Sequence, residues 1–255
     1  MEKDKIISCL IFVLFLFGNT ALNAQEKKLP AKPRYILAHL NFSFQTPAGD
    51  LKERFGWNNS VGVGMEHLGR KGWIIGVNFD FSFGTRVKED VLSNLRTSEG
   101  QIVGNNAALS AVKLTQRGFN TYFLIGKLFP FSKANPRSGI RATFGTGLLQ
   151  HKIRIQQDPQ SLIPQTLGPY EAGYDRLSNG LGFTEFIGYQ KVSKNKTINF
   201  TFGVEFVQGF TQNRREVNFN TRSKDETKRF DMLIGGKLSW IIPFEIDVNP
   251  EEFYY

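Results

Sequence analysis

Ionisable residues recur in this sequence at positions that alternate with apolar ones. They are Glu66, Asp80, Arg141, Glu205 and Lys237. Alternation with a period of two is the side-chain pattern of a β-strand, and charges enclosed by a fold must be partnered. We therefore predict structural salt bridges, with Glu66 and Arg141 near one end of the fold and the other three near mid-height. A gated path for protons or solute is the alternative.

Candidate catalytic residues are few. The chain has three histidines, His39, His67 and His151. An Asp–His pair of His151 with Asp158 or Asp175 is conceivable, but we find no Gly-x-Ser-x-Gly elbow and no His-Glu-x-x-His motif. The nucleophile and base that a hydrolase or acyltransferase needs are not visible at any spacing. We predict no enzymatic activity, no cofactor and no metal site.

The segments that carry the charges have the residue pattern of β-strands. In Trp73–Phe83, Trp, Ile, Val and three Phe share one face, and Ile, Gly, Asn, Asp and Ser share the other. The facing of the fourth and sixth segments stays open, although insertion in a membrane would put Glu185 inside. The eight segments are Tyr35–Phe44, Ser60–Leu68, Trp73–Phe83, Phe119–Phe129, Gly139–His151, Gly180–Lys191, Thr197–Thr211 and Phe230–Phe244.

Connection lengths and aromatic residues indicate how these strands are arranged. Long connections alternate with short ones, as in outer-membrane barrels whose two termini lie in the periplasm. Aromatic residues at strand ends form two girdles, as the membrane interface favours. The inner girdle contains Trp73, Phe129, Tyr189, Trp240 and Phe244, and the outer one contains Phe44, Phe83, Phe119 and Phe210.

We therefore predict an all-β fold, an eight-stranded antiparallel up-and-down transmembrane β-barrel with long extracellular loops and short periplasmic turns. The alternative is a secreted β-sandwich with Phe-rich inner faces. A barrel of eight strands is about filled by its own side chains, which disfavours a general porin.

The chain divides into four predicted parts. Residues 1–24 resemble a secretory signal peptide, residues 25–34 a periplasmic leader, residues 35–244 the barrel, and residues 245–255 a periplasmic tail. The one cysteine, Cys9, would leave with the signal. This organisation predicts the outer membrane of a Gram-negative cell. The net charge of +9 suits acidic lipid or lipopolysaccharide, and export argues against a nucleic-acid partner.

Two regions are candidates for binding an envelope protein complex. Long loops on a rigid barrel often carry binding residues, and here we single out Tyr174, Asp175, Arg176, Arg214 and Arg215. The basic fourth loop would equally suit lipopolysaccharide phosphates. The tail ends in Phe253, Tyr254 and Tyr255, which could anchor a partner or could be a remnant that extends the assembly signal.

Several short motifs resemble the small outer-membrane barrel proteins of the Bacteroidota, across nearly the whole mature chain. They are Asn23-Ala24-Gln25, Pro47-Ala48-Gly49-Asp50, Gly126-Lys127-Leu128-Phe129-Pro130 and Gly173-Tyr174-Asp175-Arg176-Leu177-Ser178-Asn179-Gly180. The resemblance extends to PorT-like barrels, which implies a connection to type IX protein secretion. We find no peptidoglycan-binding domain of the OmpA type.

The expected function is a non-enzymatic outer-membrane barrel that acts as an accessory or scaffold in an envelope assembly or protein secretion machine. A narrow channel or ligand-binding barrel is the alternative. A barrel enzyme that acts on lipids or peptides comes third.

Overall fold

The computed structural model describes residues 34–193 and 198–246. The predicted signal peptide and tail, with Phe253, Tyr254 and Tyr255, lie outside these residues. The described chain forms ten strands: Tyr35–Gly49 (β1), Asn58–Leu68 (β2), Trp73–Gly84 (β3), Ile102–Val103 (β4), Leu109–Ser110 (β5), Val112–Ser132 (β6), Asn135–Gln157 (β7), Ser178–Val192 (β8), Asn199–Asn213 (β9) and Lys228–Glu245 (β10).

Eight of these strands close into a barrel in the order β1, β2, β3, β6, β7, β8, β9, β10. All neighbours are antiparallel, and the ring closes where β1 pairs with β10 from Tyr35 opposite Glu245 to Gly49 opposite Asp231. The short strands β4 and β5 form a separate hairpin in the connection between β3 and β6. The predicted eight-stranded antiparallel up-and-down barrel is confirmed.

Helices are short in the described residues. A single α-helical turn, Leu51–Arg54 (α1), follows β1, and 3-10 helices lie at Ser93–Leu95, Pro164–Thr166 and Gly168–Gly173. No helix there is long and apolar enough to cross a membrane.

The strand faces follow the predicted alternation. In β3, Val77, Phe79 and Phe81 point outward and are exposed, whereas Asn78 and Asp80 are buried in the lumen. The structure also settles the two strands whose facing the sequence left open. β6 turns Asn120, Tyr122, Leu124 and Leu128 inward, and β8 turns Thr184, Phe186 and Gln190 inward.

The expectation that Glu185 lies inside is wrong. The aromatic ring of Phe186 occupies the lumen, with the Arg141 guanidinium 5.6 Å from its centre. Because successive side chains of a strand point to opposite faces, this packing sends Glu185 to the outer face. There it lies between Phe144 of β7 and Phe206 of β9 in the register of the sheet.

Several strands are longer than predicted. β1 continues to Gly49 instead of ending at Phe44, and β6 and β7 are extended most. β6 has 21 residues and β7 has 23, and they remain paired as far as Val112 opposite Gln157. Their inner turn is residues 133–134 instead of the predicted Pro130–Ser138. The backbone ladder continues after the apolar alternation has ended, which explains the error. The order of long outer connections (50–57, 85–111, 158–177 and 214–227) and short inner ones (69–72, 133–134 and 193–198) is confirmed.

The inside of the barrel is layered. An apolar cluster fills the inner end and contains Tyr35, Leu37, Leu68, Ile74, Leu128, Val192 and Ile241. A second cluster joins the upper lumen to the outer loops and contains Leu51, Phe55, Val91, Leu92, Ile102, Tyr122, Leu124, Leu149, Ile153, Ile163, Tyr174, Val207 and Leu233. The predicted charged residues lie between the two.

Candidate functional site

The inner group of lumen charges is built around Arg141 of β7. Its Nη2 donates to Glu66 Oε1 at 2.7 Å, and its Nη1 donates to Gln190 Oε1 at 3.1 Å. His39 Nε2 lies 3.1 Å from the second oxygen of Glu66. Glu66 and Arg141 are each about 95% buried, so each charge depends on its partner rather than on water.

The second group is centred on Lys237 of β10. Its Nζ donates to Glu205 Oε1 at 2.7 Å and to Asp80 Oδ2 at 3.1 Å. Amide groups satisfy remaining carboxylate oxygens: Gln45 Nε2 donates to Glu205 at 3.2 Å, and Asn41 Nδ2 donates to Asp80 at 3.3 Å. One ammonium group thus bridges two carboxylates from strands β3 and β9.

Close backbone approach makes room for this arrangement. Gly62 of β2 lies opposite Asp80 in the register. A Cβ at Gly62 would collide with the Asp80 carboxylate and with the carbonyl oxygen of Phe79. The glycine therefore lets the wall come near the buried carboxylate.

The structure brings all five predicted lumen residues together. The space left among them is a cavity of about 30 Å³, which holds about one water molecule. Apolar clusters lie on the outer and the inner side of it. This arrangement is suited to holding opposite strands together across the barrel.

A third charged cluster ties the outer loops to the barrel mouth. Glu89 accepts a hydrogen bond from Arg54 Nε at 2.6 Å and another from Arg176 Nε at 2.7 Å. Burial alone would raise the pKa of Glu89, but the two guanidinium groups outweigh it and hold the pKa below its ordinary value. Glu89 thus links α1 to the connection between β7 and β8.

The predicted loop residues lie within this packed region. Tyr174, Asp175 and Arg176 are at most 3% exposed. Asp175 accepts two hydrogen bonds from Arg215, at 2.6 and 2.8 Å, and Arg214 Nε donates to Asn179 at 2.6 Å. These contacts organise the loops, and a partner-binding role for the five residues stays a prediction.

His151 pairs with neither Asp158 nor Asp175, the two partners that the sequence made conceivable. His151 Nε2 lies 2.9 Å from Asp231 Oδ2, while Asp175 pairs with Arg215 and Asp158 accepts from the backbone of Gln160. His151 and Asp231 come from different sides of the barrel, so sequence spacing did not indicate the pair. Their positions on the inward faces of β7 and β10 were the only available signal.

The other two histidines lie apart from each other. His39 belongs to the inner charge group, and His67 lies on the outward face of β2. In residues 34–193 and 198–246, no group of three or more His, Cys, Asp or Glu side chains is placed to hold a metal ion.

The fold belongs to the class of eight-stranded up-and-down barrels, and comparison with known proteins gives distant likenesses. The sequence matches no protein-family model and no curated protein. Among solved structures, Neisserial surface protein A is similar at 12% identity with a TM-score of 0.37, over 81% of this chain and 96% of that one. Ail, the attachment invasion locus protein of Yersinia pestis, in complex with the heparin analogue sucrose octasulfate, is similar at 8% identity with a TM-score of 0.36, over 82% of this chain and 100% of that one.

The bridging lysine provides a test of the lumen charges. We expect Lys237→Met to lower the free energy of unfolding by roughly 3–5 kcal/mol, because it leaves two buried carboxylates without their cation. Urea unfolding of the refolded protein in detergent would measure the loss. Lys127→Met is the matched control, since Lys127 lies outside the lumen over the Trp73 ring. Equal stability of Lys237→Met and wild type would refute the pairing.

The Glu89 bridge predicts a pH dependence. Because its folded pKa is depressed, the carboxylate stabilises the fold above its ordinary pKa of about 4.3, and this contribution disappears as the pH falls through the lower folded pKa. We expect Glu89→Gln to cost roughly 1.5–3 kcal/mol at pH 7 and little in strong acid.

Thermal unfolding of wild type and variant across this pH range would measure the difference. Glu99→Gln is the control, because Glu99 is an exposed carboxylate of the same connection. A deficit in Glu89→Gln that is independent of pH would contradict the assignment.

Proposed function

We propose that the protein is a non-enzymatic outer-membrane barrel that acts as an accessory or scaffold component of an envelope assembly or protein secretion machine. Its immediate partners in this proposal are outer-membrane lipid, lipopolysaccharide and an envelope protein complex. The observation that carries the proposal is the combination of a closed, packed lumen with an apolar outer face that is interrupted by one unpaired carboxylate.

The outer face supports insertion in a membrane. Large apolar side chains are exposed on all sides of the barrel, which in water would be a severe aggregation hazard and in lipid is the expected band. Members of this band include Leu40, Phe42, Val61, Val63, Met65, Ile75, Val77, Phe79, Phe81, Phe123, Ile125, Leu181, Ile187, Phe202, Val204 and Leu238. The predicted signal peptide is consistent with export to the outer membrane.

The packed lumen favours a scaffold over a channel. A conducting pore needs a continuous polar path, whereas here apolar clusters lie on both sides of the charged layer. The remaining cavity of about 30 Å³ is too small for a solute. The connection to protein secretion rests on the sequence resemblance to PorT-like barrels.

Glu185 supports a lateral protein contact. It lies halfway along β8 on the outward face, two residues from Phe183 and two from Ile187. No side chain in the described part of the chain forms a hydrogen bond or ion pair with it. A carboxylate that faces lipid costs free energy, and a neighbouring membrane protein that donates a hydrogen bond would remove this cost. We propose that the partner meets the barrel at the β7–β8–β9 surface.

Tryptophan fluorescence tests the membrane placement. With Trp57 and Trp73 replaced by Phe, we expect acyl-chain-brominated lipids to quench the emission of Trp240, which is 61% exposed on the outer face. A variant that retains only Trp57 is the comparison, because this ring lies in the outer connection between Arg86 and Phe44 and should be quenched less by the acyl-chain bromines. Strong quenching of Trp240 by aqueous iodide, without quenching by brominated lipid, would exclude this placement.

Site-specific crosslinking tests the scaffold role. A photoactivatable residue at Ile187 should capture an envelope protein in native membranes. We expect Glu185→Leu to reduce this capture about tenfold or more, because a hydrogen bond to a charged group contributes roughly 1.5–3 kcal/mol. A photoactivatable residue at Val63, across the barrel on β2, is the control. Undiminished capture by the Glu185→Leu variant would remove the proposed contact.

A further inference from the structure

A second cavity lies at the outer mouth of the barrel and is independent of the lumen charges. Its volume is about 330 Å³, and it lies where α1 meets the outer ends of β7 and β10. The lining residues are Asp50, Leu51, Glu53, Arg54, Glu89, His151, Arg229 and Asp231.

The lining has excess negative charge. Four carboxylates, those of Asp50, Glu53, Glu89 and Asp231, face two guanidinium groups. Both guanidinium groups are already engaged. Arg54 donates to Glu89 at 2.6 Å, and Arg229 donates at 2.6 Å to Asp225, which lies outside the lining. Outside the lining, Arg176 also pairs with Glu89, and Lys52 lies 3.9 Å from Glu53. The excess negative charge therefore rests on Asp50 and Asp231, which form no ion pair with a lysine or arginine of the described chain.

Two lining residues in the floor of the cavity each have a buried polar atom without a hydrogen-bond partner in the described chain. A carboxylate can only accept a hydrogen bond, so the proton between His151 and Asp231 lies on His151 Nε2. The neutral ring then has a free lone pair on Nδ1. Both His151 Nδ1 and Asp231 Oδ1 are buried and have no hydrogen-bond partner among the described residues, although the two side chains are only 3% and 1% exposed. Buried acceptors of this kind are normally satisfied.

We propose that this cavity binds an organic cation, an alkylammonium or guanidinium group, which donates hydrogen bonds to the acceptors of His151 and Asp231. Such a group is positively charged, which balances the carboxylates of the lining. It also donates the hydrogen bonds that the two buried atoms of the floor can accept. The volume suits a short diamine or the side chain of a lysine or arginine. A metal ion is disfavoured because no group of three or more His, Cys, Asp or Glu side chains converges on one point in the described chain. This site goes beyond the proposed scaffold role.

Calorimetric titration of the refolded full-length protein in detergent micelles tests the site. The probes are cadaverine and a capped Gly-Lys-Gly peptide, and the same peptide with an acetylated lysine is the uncharged control. We expect at least one charged probe to bind and the acetylated peptide not to bind. Binding of cadaverine alone would identify a free amine as the ligand, and binding of the peptide alone would identify a basic polypeptide. Both results support the site.

Three variants distinguish binding in the cavity from nonspecific attraction to the charged loops. We expect Glu53→Gln, which removes an exposed carboxylate at the rim of the cavity, to weaken binding of the charged probe about threefold, and Asp231→Asn to abolish it. Glu226→Gln is the control, because Glu226 pairs with Lys224 outside the cavity, and it should bind like wild type. Heat-dependent gel mobility would verify that each variant folds. If Asp231→Asn does not fold, the binding measured for Glu53→Gln tests the proposal. Absence of binding by both charged probes, or equal binding by Glu53→Gln and wild type, would overturn the proposal.

Discussion

The structure depends on the pairing of charges across the lumen. Lys237 reaches carboxylates on β3 and β9, and Arg141 connects β7 to Glu66 on β2. These charged side chains are buried, so the loss of a partner is costly and the strands that carry them must keep one register. The narrowness of an eight-stranded barrel makes the contacts possible, because side chains from opposite walls can meet.

The charged layer also determines what the rest of the barrel can be. Apolar clusters cover it from both ends, and the outer cluster recruits the loops through Leu51, Phe55 and Tyr174. With polar groups inside, the alternating strands must present their apolar side chains outward. Glu185 departs from this rule because Phe186 takes the inward position beside Arg141. A lateral partner at Glu185 and a ligand at the mouth would use two surfaces that the lumen does not need.

Much of the fold was predictable because the alternation is clear. In Trp73–Phe83 and Phe230–Phe244, one face is wholly apolar and the other carries polar residues, so the facing followed directly. In β6 and β8 both faces carry large apolar residues, and the pattern could not assign them. The extensions of β6 and β7 were missed because backbone pairing continues without apolar alternation.

Some features of the candidate sites could be predicted from the sequence and others could not. The lumen charges were predictable because each is an ionisable residue on the polar face of a strand. The pair of His151 and Asp231 was not, since contacts across a barrel depend on its stagger as well as on strand facing. Single-channel recording in planar bilayers tests the central claim most directly. We expect the refolded wild-type protein to give no steady current, and reproducible conductance steps would contradict a lumen that is packed by its own side chains.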